Sequence, residues 1–343
     1  MNRLLLVLAS LAALLVLADT QLRRFDRQAR EQAATLRPLT QIRSDQIASL
    51  EIVGDGRTWV YVHQGDLWRF PGYGNAVASS ARLDAVAAAF GAYGTPVSAE
   101  PGDLDRYGLE PDQQVRLTAR DASGRVLAAI ALGRGAPGPH AVDAYALPVD
   151  RDTVFHLQAN PRPALAPLNR PLLDPHVLPA RSAAAGLSEV VFGGSGAGGF
   201  DRLRRDAPSA RGPLPGADPG DRAETWFGQR GTTEQACPGA VPFAAYLQRL
   251  RWAALAPVDA FRPDGRWLRL VRTDGKADTL ELGSAADASG VAVRVKPVNQ
   301  VCILPPAKAA LLFPAPAVLA GTGPMPSPFD LAEPSQTPTA AAP

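Results

Sequence analysis

One pattern of residues occurs twice in the chain, and that repetition constrains the fold more than any single motif. Val115-Arg116-Leu117-Thr118 is followed by a polar turn, by Ile130-Ala131-Leu132-Gly133, and by Tyr145 to Pro148-Val149-Asp150. Leu268-Arg269-Leu270-Val271 is followed by Asp274-Gly275, by Leu280-Glu281-Leu282-Gly283, and by Val293 to Pro297-Val298-Asn299. A helix-like run precedes each block, Leu83 to Ala92 and Phe243 to Ala254, and a tryptophan precedes each run, Trp68 and Trp226. Elements recurring in fixed order are the mark of an internal duplication with indels in the turns. Each copy supplies short alternating strands and one amphipathic helix to cover a sheet face, which is an α+β architecture. The expected fold is two tandem copies of a small ββαβββ-like module, mostly antiparallel, with one covering helix each. The copies span 45–160 and 187–313, and Trp68 should correspond to Trp226 and Leu132 to Leu282.

Local signals support these elements. Ile47 to Val53 alternates as a strand, Gly54-Asp55-Gly56 is its turn, and Thr58 to Val62 is the return strand. Ser79-Ser80 caps a helix with Leu83, Val86, Ala87 and Phe90 on one face. Asp103 to Leu109 reads as a short helical turn stopped by Gly108. Residues 161–186 form a proline-dense connector that Leu168, Leu172, Leu173 and Val177 can pin to a core. Pro208 to Asp221 reads as a long mobile insertion ahead of Trp226. Residues 314–343 are rich in Pro, Ala, Ser and Thr and are expected to be disordered.

The N-terminus carries an address. Residues 1–20 contain an apolar run from Leu4 to Ala18. At about 1.5 Å per residue it spans roughly 22 Å, short of the ~30 Å hydrocarbon core. It fits either a signal-peptide core, with Val16-Leu17-Ala18 as a cleavage site, or a short anchor. An anchor would continue into a helical stalk over 21–44, where Leu22, Phe25, Ala29, Ala33 and Leu36 recur at helical spacing before Pro38. Both readings export the rest of the chain. Arg23, Arg24, Arg27 and Arg30 oppose them, because positive-inside counting would leave the large domain in the cytoplasm.

The net charge of +2 gives no reason to propose a nucleic-acid partner, and lysine occurs only at Lys276, Lys296 and Lys308. Cys237 and Cys302 both fall in the second copy. In an oxidising compartment the simplest reading is one disulfide, and the other is two separate buried thiols. No catalytic, cofactor or metal set emerges. Gly194 to Gly199 spells GxGxxG, but Phe200 to Arg205 alternates like a strand where a dinucleotide site needs a helix. His63, His140, His156 and His176 are scattered. Ser195 lacks the GxSxG context, and Asp103 and Asp105 serve a turn better than a pair of catalytic carboxylates. The five tryptophans, Trp59, Trp68, Trp226, Trp252 and Trp267, read as core anchors. Candidate partner-surface residues are Trp59, Tyr107, Arg202, Arg204 and Arg205.

The pattern resembles a bacterial family of membrane-anchored proteins, the domain of unknown function 4340 family. The carriers are Asp103-Leu104 with Tyr107-Gly108-Leu109 and Pro111, the Trp68 strand, the Leu132-Gly133 strand end, and Asn169-Arg170-Pro171-Leu172-Leu173. The second copy lacks the Tyr-Gly-Leu turn and has Pro257-Val258-Asp259-Ala260-Phe261 in that region. Members of this family often carry two copies and often sit beside gliding-type ABC transporter components. The resemblance implies an inner-membrane, single-pass protein with its bulk in the periplasm, and assigns no catalytic residue. The expected function is that of a non-enzymatic envelope protein, an accessory or protein-binding subunit. The alternatives are an envelope hydrolase whose residues converge only in three dimensions and a small-ligand sensing module.

Overall fold

The alternating stretches become strands in the computed structural model. It describes Gln21 and residues 36–97, 104–135, 144–179, 186–194, 199–206, 225–286 and 288–323. The apolar run of 1–20, most of the stalk, the Pro208–Asp221 insertion and residues 324–343 lie outside the described residues. Among the described residues no helix is long and apolar enough to cross a membrane.

The first half of the chain forms β1 (Arg37–Pro38), β2 (Ser49–Gly54), β3 (Arg57–Gln64), β4 (Leu67–Phe70), β5 (Ala76–Val77), α1 (Ser80–Ala88) and β6 (Tyr93–Val97). It continues through β7 (Val115–Arg120), β8 (Val126–Gly135), β9 (Ala144–Pro148), β10 (Val154–Leu157) and the short α2 (Arg162–Leu165). The second half forms β11 (Leu187–Gly193), β12 (Arg202–Arg205), β13 (Trp226–Arg230), β14 (Thr233–Ala236), α3 (Ala240–Arg249) and β15 (Ala254–Ala256). Then follow β16 (Phe261–Arg272), β17 (Ala277–Ala285), β18 (Val291–Lys296), β19 (Gln300–Leu304), α4 (Pro306–Ala310) and α5 (Pro316–Leu319).

Two large, mostly antiparallel sheets with few helices result. The ten-stranded sheet runs β1-β6-β10-β9-β8-β7-β2-β3-β4-β5, and the nine-stranded sheet runs β14-β13-β12-β11-β16-β17-β18-β19-β15. With β1 set aside, and β2 matched to β11 and so on in chain order to β10 and β19, the two orders are one list read in opposite directions. Trp68 and Trp226 fall in the matched strands β4 and β13, and Leu132 and Leu282 in β8 and β17. The strand count departs from a ββαβββ pattern, because four strands precede each matched helix and five follow it. β5, β6 and β15 are two, five and three residues long, too short for an alternation to register, and β6 carries Gly94 and Pro96.

The chain divides into two compact units, Met1–Asp66 with Ala81–Leu172, and Leu67–Ser80 with Leu173–Pro343. In the first, Leu83, Val86, Ala87 and Phe90 are buried at helical spacing on one side of α1. The segment ahead of β2 is part of the fold rather than stalk. Leu39 is buried, its N–H donates to Ala92 O at 2.9 Å, and the Thr40 hydroxyl donates to Phe90 O at 2.7 Å. The proline-dense connector is tied down by side chains that reach its main chain. Arg57 donates to Asn169 O at 2.9 Å, Trp59 Nε1 to Leu168 O at 2.9 Å, and Arg82 Nε to Ala164 O at 2.8 Å. The Leu172 N–H donates to the buried Tyr61 hydroxyl at 2.8 Å.

In the second unit, Phe243, Ala244, Tyr246 and Leu247 of α3 pack with Trp226, Leu268, Leu280, Leu282, Val293 and Val295. Residues 314–323, expected to belong to a disordered tail, are ordered. Leu312 and Leu319 are buried in the same core, and the Gly239 N–H donates to Leu319 O at 3.0 Å at the entry to α3. Apolar burial at Leu312 and Leu319 gives these residues a reason to fold that the flanking Pro and Ala composition concealed.

Both units carry a small second cluster, and in each a glycine lets a strand come close. In the first, Tyr107, Leu109, Ala131 and Val154 are buried together, and a Cβ on Gly133 would stand 2.1 Å from Tyr107 O. In the second, Phe261, Ala285, Ala292, Val301 and Ile303 are buried together, and a Cβ on Gly283 would stand 2.1 Å from Arg262 O. A 3₁₀ turn precedes each crossing, Asp105–Tyr107 and Val258–Ala260.

Candidate functional site

Alternation on β16, β17 and β18 turns Leu268, Leu270, Leu280, Leu282, Val293 and Val295 toward the core. The intervening residues therefore share the opposite face. Across the strands Trp267 pairs with Glu281, Arg269 with Thr279, Glu281 with Arg294, and Thr279 with Lys296. With Ala277, Pro297 and Asn299, the residues Trp267, Arg269, Thr279, Glu281 and Lys296 line a shallow groove of about 840 Å³, and Arg294 stands beside it as the cross-strand neighbour of Glu281.

Trp267 is placed there by a glycine. Gly193 is its partner on β11, and a Cβ on Gly193 would stand 2.1 Å from the indole Cε2 and 2.2 Å from Cζ2. The ring therefore lies across the Gly193 backbone, and the residue is 36% exposed. Any side chain at 193 would lift the ring off the sheet. Arg269, two residues on, is exposed and makes no ion pair or hydrogen bond among the described residues.

Glu281 is held by two cations. Lys296 Nζ lies 2.6 Å from its Oε1, and Arg294 donates from Nε to its Oε2 at 2.7 Å. Burial alone would raise the Glu281 carboxyl, but the hydrogen bonds from Lys296 and Arg294 outweigh it and hold the group below the ordinary carboxylate range. The Arg294 guanidinium also sits 4.8 Å from the Phe261 ring centroid. Among the groove's lining residues two cations, Arg269 and Lys296, stand with one carboxylate, Glu281, leaving a positive surplus of one beside the exposed Trp267 ring.

The residues singled out from sequence divide. Arg202 and Arg204 flank the buried Leu203 and share a face, where Arg202 pairs with Glu189 at 2.7 Å and Arg204 with Glu234 at 3.5 Å. Arg205 falls on the other face and is half-buried. Trp59 is half-buried and anchors the connector, and Tyr107 is buried with its ring centroid 4.7 Å from that of Tyr145.

The expected disulfide is overturned, because Cys237 and Cys302 are both free and buried. Cys237 lies where a Cβ on Gly228 would meet its Sγ at 2.6 Å, whereas Cys302 accepts from Gln300 Nε2 at 3.4 Å. Burial pushes the Cys302 thiol up to about 12 and also raises Cys237. A thiol held protonated is a poor nucleophile. The GxGxxG run lies between β11 and β12, two antiparallel strands rather than a strand and a following helix, and Ser195 to Gly198 lie outside the described residues.

Asp103 and His140 also lie outside the described residues, and Asp105 opens its 3₁₀ turn and accepts from Gln113 Nε2 at 2.8 Å. The His156 ring centroid lies 5.4 Å from that of Tyr145 with the planes tilted, and His176 Nδ1 lies 2.8 Å from the buried Asp174. Among the described residues no group of three or more His, Cys, Asp or Glu is placed to hold a metal ion.

The groove itself was missed in the sequence. Trp267 has the same parity as the polar Arg269 and the opposite parity to Leu268 and Leu270, and that signal marks it as outward-facing rather than core. Compared with family models, curated proteins and solved structures, the chain matches none.

Proposed function

We propose that the chain is a tandem duplication of one α+β module and works as a non-catalytic, membrane-tethered subunit of the cell envelope that binds a protein partner. The observation that carries the reading is the shared strand order of the two sheets, with a glycine at Gly133 and Gly283 admitting a crossing carbonyl in each. Duplicated sheets offer broad, laterally open faces, which suit binding better than chemistry. The Leu4–Ala18 run and the resemblance to the domain of unknown function 4340 family support the tether and the address. The polar groups buried most deeply serve packing. Tyr61 holds the connector, Arg272 and Asp278 pair at 2.8 Å, and Gln300 accepts from Val77 N at 2.8 Å. The test is chemical crosslinking in native membranes, followed by affinity capture of the full chain and mass spectrometry. Recovery of one envelope protein in stoichiometric amount, lost when Arg202 and Arg204 are both changed to Glu, is expected. Recovery of no reproducible partner, or retention of the partner by that double variant, would overturn the partner reading.

A further inference from the structure

We propose that the groove around Trp267 binds a carboxylate-bearing saccharide chain, a role beyond the protein-binding function proposed above. Four observations carry it. The indole lies against the Gly193 backbone, and with the residue 36% exposed the rest of the ring is open to a ligand. Flat aromatic faces suit the apolar C–H face of a pyranose ring. Arg269 stands on the same strand face with no partner among the described residues, a free guanidinium with fork geometry for a carboxylate. Thr279 and Asn299 supply neutral hydroxyl and amide groups to the same groove, groups that can bond the hydroxyls of a sugar. The surplus of positive charge complements an acidic ligand rather than a neutral one.

An acidic peptide is the rival occupant, and the geometry disfavours it. Extended peptides gain affinity by adding to a sheet edge, where backbone groups are unpaired. This groove lies over β16, β17 and β18, each paired on both sides within the sheet, so only side chains are available. The groove is also shallow, which gives a small molecule little enclosure.

The experiment is isothermal titration calorimetry of the full-length protein in detergent with an oligogalacturonate. A neutral malto-oligosaccharide of the same length and an oligoglutamate serve as comparisons. The oligogalacturonate is expected to bind at least tenfold more tightly than either. Trp267→Ala and Arg269→Ala should each weaken it at least tenfold, Trp267→Phe should stay within about threefold, and Arg116→Ala, on the other sheet, should change nothing. Thermal melts show whether each variant is folded, and Arg269→Ala carries the test if Trp267→Ala is not. Absence of oligogalacturonate binding overturns the proposal. Equal binding of oligoglutamate, or binding indifferent to Trp267, does so as well and identifies an acidic-peptide or purely electrostatic surface.

Discussion

Replacing Gly133 by alanine tests how closely the chain crosses its own sheet. The added Cβ would stand 2.1 Å from Tyr107 O, and real Cβ contacts are essentially never under 3.0 Å, so the carbonyl must retreat by about 0.9 Å. The obstructing atom is main chain, so no rotamer change relieves it, and Tyr107 and Leu109 must move with it out of their buried cluster. Overpacking of this kind costs about 1–3 kcal/mol, and a backbone obstruction belongs near 3. Alanine also restricts the unfolded chain, which offsets about 0.4–1 kcal/mol. The net loss is about 2 kcal/mol, or roughly 4–8 °C in melting temperature for a unit of this size. Gly283→Ala should match it, since Arg262 O stands at the same 2.1 Å. Gly54→Ala is the control, because its nearest neighbour is the flexible end of Leu168 at 3.2 Å, and it should shift the melt by less than ~3 °C. Differential scanning calorimetry reads all three. If Gly133→Ala and Gly54→Ala melt together, the close crossing does not exist as described.

Tyr61→Phe removes the hydroxyl that accepts from Leu172 N and leaves that buried N–H unpaired, so urea denaturation should show a loss of about 1–3 kcal/mol. Glu281 has a depressed carboxyl, so its stabilisation is complete above the unfolded carboxyl pKa of about 4.3 and is lost as pH falls through the lower folded value. The stability gap between wild type and Glu281→Gln should therefore shrink on acidification, and a gap constant down to pH ~3 would contradict the pairing. Cys237 and Cys302 should resist alkylation in the folded protein and both react in denaturant without reductant, as intact mass will show. One thiol pair that needs reductant first would restore the disulfide.

The long alternating strands were legible because period-two patterning survives in β2, β3, β7, β16 and β17, each at least six residues long. Ser79-Ser80 located α1, and Gly108, with φ 63°, located the turn after Tyr107. Short strands were not legible, because β5 and β15 are held by neighbours rather than by their own pattern. The cysteines misled because two thiols in one module suggest a bond, while both are buried as free thiols within one apolar core, which leaves no trace in sequence. At the groove, Trp267 was misplaced because tryptophan is usually buried, and only its pairing with Gly193 explains its exposure.

The hairpin of β4 and β5 belongs to the unit completed by the second half of the chain, and this ordering carries a consequence for biosynthesis. Val77 donates to Gln300 across 223 residues of sequence. At about 5–20 residues per second a ribosome takes roughly 11–45 s to cover that interval. Through that time Leu67 to Ser80 have been made, with β3 beside them in the sheet, but the Gln300 that completes their packing has not. A nascent strand pair left waiting can be satisfied by the same surface on a neighbouring, finished molecule. Translation speed and crowding on a polysome thus bear directly on whether this protein closes on itself or exchanges hairpins between copies.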